Sequence, residues 1–141
     1  MYAIERTDYG LHLVFSGHIE RAELAAWTAE LAEALCGTEE EFCVLVDMRY
    51  LEPLPDEALE PMIAGQKAAL EMGMKRSIVI VDNALTALQF IKIAHDTGIH
   101  LQERYINVQL ERDWRRPAMD WLIRGKEPVR EERLFVESSS R

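Results

Sequence analysis

The sequence has 141 residues, of which 48% are hydrophobic and 29% charged, and this is the composition of one ordinary globular domain. Its formal net charge of −9 disfavours nucleic acids and anionic membranes as partners, because both are bound mainly by lysine and arginine. The near-continuous apolar run SIVIV at 77–81 is far shorter than the roughly 20 residues of a membrane span. No signal peptide is recognisable, so we expect a cytoplasmic protein.

The N-terminal region predicts a β-hairpin followed by an amphipathic helix. In residues 2–16, the segments YAIERT and LHLVFS flank a DYG turn, and hydrophobic side chains alternate in the second segment. In residues 19–35, leucine and tryptophan recur at helical spacing, and the glutamates lie mostly off that stripe. Gly37 follows where a glycine commonly ends a helix.

A buried strand and a rigid loop are predicted next. FCVLV at 42–46 is short, β-rich and apolar throughout, as expected of an interior strand that is covered on both faces. Asp47 stops this apolar run, and Pro53 and Pro55 keep the chain out of regular structure. We therefore expect the strand to end at Asp47 and a proline-stiffened loop to follow.

The second helix is expected to begin near Glu60, with residues 56–59 as a tighter lead-in. Pro61 must lie in the first turn, because a proline deeper in a helix costs about 3 kcal/mol. Gly73 marks the predicted end of this helix.

The C-terminal half predicts two more strands and two more helices. RSIVIVDN is a second interior strand, and Asn83 is placed to cap a helix at 84–97 that Gly98 closes. ERYINVQ at 103–109 predicts another strand, after which Asp113 can cap a short final helix.

The order of these elements, β-β-α-β-α-β-α-β-α, determines the predicted fold class. Strands that are separated by helices need crossover connections and therefore pair in parallel. The chain is predicted to be α/β, with a single mixed, mostly parallel β-sheet, an N-terminal hairpin and about four helices packed against it. Residues 1–124 would form one domain, and the charged, serine-ended residues 125–141 a loosely ordered tail.

Five segments in this order resemble the STAS domain family of anti-sigma-factor antagonists, and more closely its SpoIIAA-like relatives. They are the strand ending in VLVDMR, the loop into PDEALEPM, the strand SIVIVDN, the helix LTALQFIKIAHDTG and the closing RYI…WL. The likeness spans about residues 5–124. It implies the fold predicted above and a non-catalytic regulatory module that binds another protein or a second copy of itself.

The resemblance also implies a position at which the family is regulated, and this chain carries a different residue there. In phosphorylated members, the loop after the equivalent strand presents a serine at the start of the next helix, and the kinase that modifies it is also the binding partner. Asp56 stands at about this position with Glu57 beside it, and no serine or threonine occurs between Thr38 and Ser77. A phosphorylation switch therefore cannot operate here. Asp56 either caps the helix or acts as a permanent charge where a phosphate would stand.

These observations place the predicted partner-binding face at the carboxyl edge of the sheet, where ligands bind in open α/β folds. The prolines would stiffen this edge, and the carboxylates would make it a negative corner. The residues predicted to form it are Asp47, Arg49, Tyr50, Pro55, Asp56, Glu57, Asp82 and Asn83.

The helix predicted at 84–97 is apolar around nearly its whole circumference. Such a helix is either buried on several sides or faces a partner. Leu85, Leu88 and Phe90, together with Met62, could form an apolar contact surface or line a pocket for an apolar ligand. The second use corresponds to an alternative function, a small apolar ligand or lipid carrier resembling SEC14-like domains.

No catalytic, cofactor or metal site is predicted, so we do not expect an enzyme. Asp47 and Asp82 both follow interior strands and could hold magnesium, but such sites usually need more ligands. The segment HDTGIH at 95–100 lacks the three or four ligands of a zinc site. Cys36 and Cys43 fit neither a zinc nor a redox spacing, and no nucleophile elbow or glycine-rich phosphate loop occurs.

Overall fold

A computed structural model describes residues 1–128, which form five β-strands and four α-helices. The strands are β1 (Tyr2–Arg6), β2 (Gly10–Gly17), β3 (Phe42–Leu51), β4 (Met74–Val81) and β5 (Glu103–Asn107). The helices are α1 (Arg21–Leu35), α2 (Leu59–Glu71), α3 (Ala84–Thr97) and α4 (Arg115–Arg124). Short 3-10 turns lie at Asp56–Ala58 and Ile99–Leu101.

The strands form one mixed sheet in the order β1-β2-β3-β4-β5. β1 and β2 pair antiparallel as a hairpin, while β2, β3, β4 and β5 run parallel to one another. Each parallel connection contains a helix, because the chain must return to the same end of the sheet before the next strand begins. The predicted α/β class, the N-terminal hairpin and the mostly parallel sheet are confirmed.

Side-chain alternation along the interior strands divides the core between the two faces of the sheet. On one face, Val44 and Val46 of β3 belong to a large apolar cluster with α1, α2 and α3. On the other face, Cys43 and Leu45 pack beneath α4 with Trp121. We call these the three-helix face and the α4 face. Because helices cover both faces of β3, its apolar run shows no polar alternation.

Three local predictions are confirmed. A 3-10 turn precedes α2, and Pro61 lies in the first turn of that helix. Asn83 caps α3, since its Oδ1 accepts a hydrogen bond from the backbone N–H of Thr86 at 2.8 Å. Gly98 ends α3 in the left-handed region with φ of 88°.

Two boundary predictions are wrong. β3 does not end at Asp47 but continues to Leu51, because its backbone keeps pairing with β2 as far as Gly17. Asp113 does not cap the final helix, since the N-cap residue of α4 is Trp114 and no side chain caps it. At β3, strand pairing overrides the signal of a single polar residue.

The predicted tail lies mostly outside the described residues. Only residues 125–128 of it are described, and there the Glu127 carboxylate accepts two hydrogen bonds from Arg104, at 2.7 and 2.9 Å. Within residues 1–128, no helix combines the length and apolar character that crossing a bilayer requires.

Candidate functional site

The carboxyl ends of the parallel strands lie at one edge of the sheet, and all eight predicted partner-binding residues belong to this edge. The structure divides them among three positions. Asp47, Arg49 and Tyr50 lie in the last part of β3, Pro55, Asp56 and Glu57 lie before α2, and Asp82 and Asn83 lie before α3.

The loop between β3 and α2 is held against α3 by one side chain. Nε2 of Gln89 donates to the backbone carbonyl of Leu54 at 2.9 Å, and its Oε1 accepts from the N–H of Leu54 at 2.8 Å. Glu52 adds a backbone hydrogen bond to Gly17 at 3.1 Å. The Leu54 side chain is buried, so the loop is fixed from both its backbone and its side chain. The sequence analysis did not single out Gln89, although it is a polar residue on a mostly apolar helix.

Replacing Gln89 by alanine is expected to release this loop. Both backbone groups of Leu54 lose their partner, which should lower the local free energy of opening by about 1–2 kcal/mol. Hydrogen exchange at the Leu54 amide is the measurement, and it should become faster by about tenfold. The control is Gln109→Ala, which removes a hydrogen bond from Gln109 to Asp82 at the same edge of the sheet. Unchanged exchange at Leu54 in Gln89→Ala would show that the loop is held by other means.

Asp56 and Glu57 are exposed at the start of the 3-10 turn. The interpretation of Asp56 as a helix cap is wrong. The N-cap residues of the turn and of α2 are Pro55 and Ala58, and neither helix start receives a side-chain cap hydrogen bond. The Asp56 carboxylate is therefore free of a capping role and faces solvent. Arg21 of α1 steadies this segment by donating to the carbonyl of Glu57 at 3.0 Å.

Asp47 and Arg49 form a closed ion pair on the α4 face. The Asp47 carboxylate accepts from the backbone N, Nε and Nη2 of Arg49 at 3.1, 3.0 and 2.8 Å. Burial alone would raise the pKa of Asp47, but these hydrogen bonds and the Arg49 charge hold that pKa below its ordinary value. The same ion pair also favours the charged form of the arginine, because the hydrogen bond to Asp47 raises the pKa of Arg49. The pair is therefore ionised at neutral pH and its charges cancel locally.

The remaining polar residues at this edge of the sheet form hydrogen bonds or ring contacts with nearby residues. Asp82 accepts a hydrogen bond from Nε2 of Gln109 at 2.6 Å, and Asn83 caps α3. Tyr50 is 68% exposed, and the Arg49 guanidinium lies 5.4 Å from its ring centroid. In the part of the chain that the structure describes, no group of three or more histidine, cysteine or acidic residues could hold a metal ion.

The four predicted apolar residues separate into two pairs. Leu85 and Leu88 of α3 are 70% and 57% exposed. Met62 and Phe90 are buried in the core on the three-helix face, so they cannot belong to an outer contact surface. The exposed leucines neighbour Thr86 and Gln89 in sequence, and both of those side chains hydrogen-bond the chain that leaves β3. The leucines therefore lie on the helix that holds the loop.

Met62 and Phe90 instead line an internal apolar cavity between the sheet and its three helices. Its volume is about 40 Å³. That is room for a few water molecules at most, whereas sites for drug-sized ligands measure roughly 300–1,000 Å³.

A buried carboxyl group, which sequence reasoning missed, lies beside this cavity. Glu103 opens the edge strand β5 and lines the cavity together with Ser77. Ser77 donates to its Oε1 at 2.9 Å, and the Tyr105 hydroxyl lies 2.5 Å from its Oε2. Burial raises the pKa of Glu103 to about 7, although the hydrogen bonds from Tyr105 and Ser77 act in the opposite direction. Nothing in the surrounding segment ERYIN distinguishes this glutamate from an exposed one.

Comparison with known proteins shows a relationship in structure. No family model matches the chain, and no curated protein matches it. The crystal structure of an uncharacterised DUF3478-family protein with a SpoIIAA-like fold, from Shewanella loihica PV-4, superposes with a TM-score of 0.60 at 22% identity. The match covers 86% of this chain and 92% of that one.

A second solved structure is an anti-sigma factor antagonist from Mycobacterium paratuberculosis. It superposes with a TM-score of 0.50 at 18% identity and covers 74% of this chain and 83% of its own. At these identities the likeness concerns the fold. The sheet topology described above and both superpositions agree, and this chain therefore has the STAS/SpoIIAA-like α/β fold.

Proposed function

We propose that this chain is a cytoplasmic regulatory module that acts by binding another protein at the carboxyl edge of its sheet. The contact surface, called here the corner surface, consists of the loop before α2 and the exposed start of α3. Its residues are Tyr50, Pro55, Asp56, Glu57, Asp82, Asn83, Leu85 and Leu88, and the Asp47–Arg49 pair lies beside them at the end of β3.

The observation that carries this proposal is the double hydrogen bond between Gln89 and Leu54. It orders the loop before any partner arrives, and two prolines flank the clamped residue. A preordered loop loses little conformational entropy on binding, so more of its contact energy contributes to affinity. The fold similarity to an anti-sigma factor antagonist supports a regulatory role for such a surface.

The chemistry of the corner surface indicates what kind of partner it fits. Asp56 and Glu57 present two exposed carboxylates, and Leu85 and Leu88 present exposed apolar side chains on the helix that Gln89 joins to the same loop. A complementary surface carries basic side chains around an apolar spot. Because Asp56 does not cap a helix, its charge is available to such a partner at all times, without phosphorylation.

The experiment is affinity capture from the native cytoplasm, followed by measurement of the dissociation constant for the captured protein. Asp56→Arg should weaken binding by about tenfold or more, because it replaces attraction by repulsion, while Asp56→Glu should retain binding. Glu71→Arg is the matched control, since Glu71 is an exposed carboxylate roughly 20 Å away at the other end of α2. Equal affinity of wild type and Asp56→Arg would contradict the proposal.

A lipid or apolar-ligand carrier is the alternative, and the structure favours the binding module over it. The cavity that a carrier would use holds only about 40 Å³ between the sheet and its helices, so the helix layer would have to move outward to admit a lipid. Native mass spectrometry separates the two functions. An adduct of lipid mass on the purified protein supports the carrier, whereas a protein without an adduct supports the module.

A further inference from the structure

A cleft of about 240 Å³ opens on the α4 face, away from the three-helix core. Among residues 1–128, α4 packs mainly on β3 and β4, and the cleft lies where its first residues meet β2 and β3. Leu45 forms the apolar floor of the cleft, and Trp114 and Met119 form an apolar wall. Its polar lining consists of His12, Asp47, Arg49 and Arg115.

The charges in this cleft do not balance. The charge of Arg49 is neutralised by its bidentate ion pair with Asp47. Nδ1 of His12 lies 3.3 Å from Oε1 of Glu5. Arg115 has no carboxylate partner within residues 1–128. One uncompensated positive charge therefore lies beside an apolar wall, in a protein whose net charge is −9.

The Trp114 ring fixes the position of that charge, because the ring is buried and lies under the guanidinium. The guanidinium of Arg49 lies 5.1 Å from the centroid of its ring, and that of Arg115 lies 4.7 Å from it. A contact with a ring face leaves the N–H donors of a guanidinium available, and these donors match the two oxygens of a carboxylate. The donors of Arg115 therefore adjoin the apolar lining of the cleft.

We propose that this cleft binds a small carboxylate with an apolar body, whose acid group is held by Arg115 and whose apolar part lies against Leu45 and Met119. The volume of the cleft is below the roughly 300–1,000 Å³ of sites for drug-sized ligands, so the ligand is smaller than those. The cleft is a site separate from the loop before α2, so this inference goes beyond the proposed function and does not depend on it.

The test is a titration of the protein with phenylacetate, followed through the indole N–H signals of its three tryptophans by NMR. Trp27 and Trp121 are internal references, because Trp27 lies in the core of the three-helix face and Trp121 donates to the Ser77 carbonyl. We expect a saturable shift of the Trp114 signal and little change of the other two. Phenylacetamide, which has the same shape without the charge, should produce a much smaller effect.

Two variants distinguish a built site from general attraction to positive charge. Arg115→Gln should weaken phenylacetate binding by about tenfold or more, because it removes the charged donors. Arg116→Gln removes the neighbouring exposed arginine, which does not line the cleft, and should leave binding unchanged. The proposal is overturned if the Trp114 signal does not saturate, if the amide binds as well as the acid, or if both variants lose binding equally.

Discussion

Replacing Glu103 by glutamine is expected to remove a loss of stability that the wild type shows as pH rises from about 4.5 to about 7. The pKa of Glu103 is about 7 in the folded protein and 4.5 without the fold. Below the lower value, the carboxyl group is protonated in both states and its contribution to stability is fully present. As pH rises from about 4.5 to the folded value of about 7, the unfolded chain releases this proton while the folded protein keeps it, and about 3 kcal/mol of the free energy of unfolding is lost.

The Tyr105 hydroxyl can stabilise an ionised Glu103 only in part. It has one proton, yet it lies 3.0 Å from the Phe90 carbonyl and 2.5 Å from Glu103 Oε2. One proton cannot serve both acceptors fully. The ionised carboxylate would also lie in a site with no solvent to compensate for its charge.

Urea unfolding at several pH values provides the measurement. The wild type should lose stability as pH rises from about 4.5 to about 7, whereas Glu103→Gln should lack this loss. Glu60→Gln is the control, because Glu60 is exposed and pairs with Arg21, which lowers its pKa. A wild type of constant stability over this range, or a Glu103→Gln variant with the same slope, would refute the assignment. Because both proteins keep their four histidines, the difference between them isolates Glu103.

Gly10→Ala is expected to destabilise the domain by about 3 kcal/mol or more. Gly10 has φ of +146°, where a side chain is strained, and a Cβ would lie 2.2 Å from the carbonyl oxygen of Cys43. That oxygen belongs to the backbone of β3, which pairs with β2 at this residue. The clash can be relieved only by moving β2 and β3 apart. This separation would disturb the core, because β3 contributes side chains to the apolar clusters on both faces of the sheet.

Gly17→Ala is the matched control for this substitution. Gly17 lies at the other end of β2 with φ of +73°, and no atom lies within 4 Å of the Cβ position. In Gly17→Ala, the free energy of unfolding should fall only by the cost of the strained backbone conformation, about 1–2 kcal/mol. Chemical denaturation of both variants measures the difference. An equal loss of stability in the two would show that strain, and not the approach of β3, accounts for the need for glycine at Gly10.

The extent of β3 illustrates where local patterns stop predicting structure. Asp47 ended the apolar run, and an unpaired carboxylate inside a strand between two helix-covered faces would be costly. Arg49, two residues later, lies on the same face and neutralises Asp47, so the strand continues. The partner was present in the sequence, but its effect depends on the strand geometry that places alternate residues together.

The sequence by itself determined the elements and the architecture of this protein. Periods of 2 and 3.6 residues, a proline in a first helical turn and the Asn83 cap are properties of neighbouring residues. Helices between strands then require parallel pairing in one sheet. Only the tertiary structure decided that Gln89 holds Leu54, that Glu103 is buried beside a cavity, and that Arg115 borders a cleft with Trp114. Whether a polar group is buried or paired depends on segments that are distant along the chain. These segments come into contact only when the sheet and helices pack.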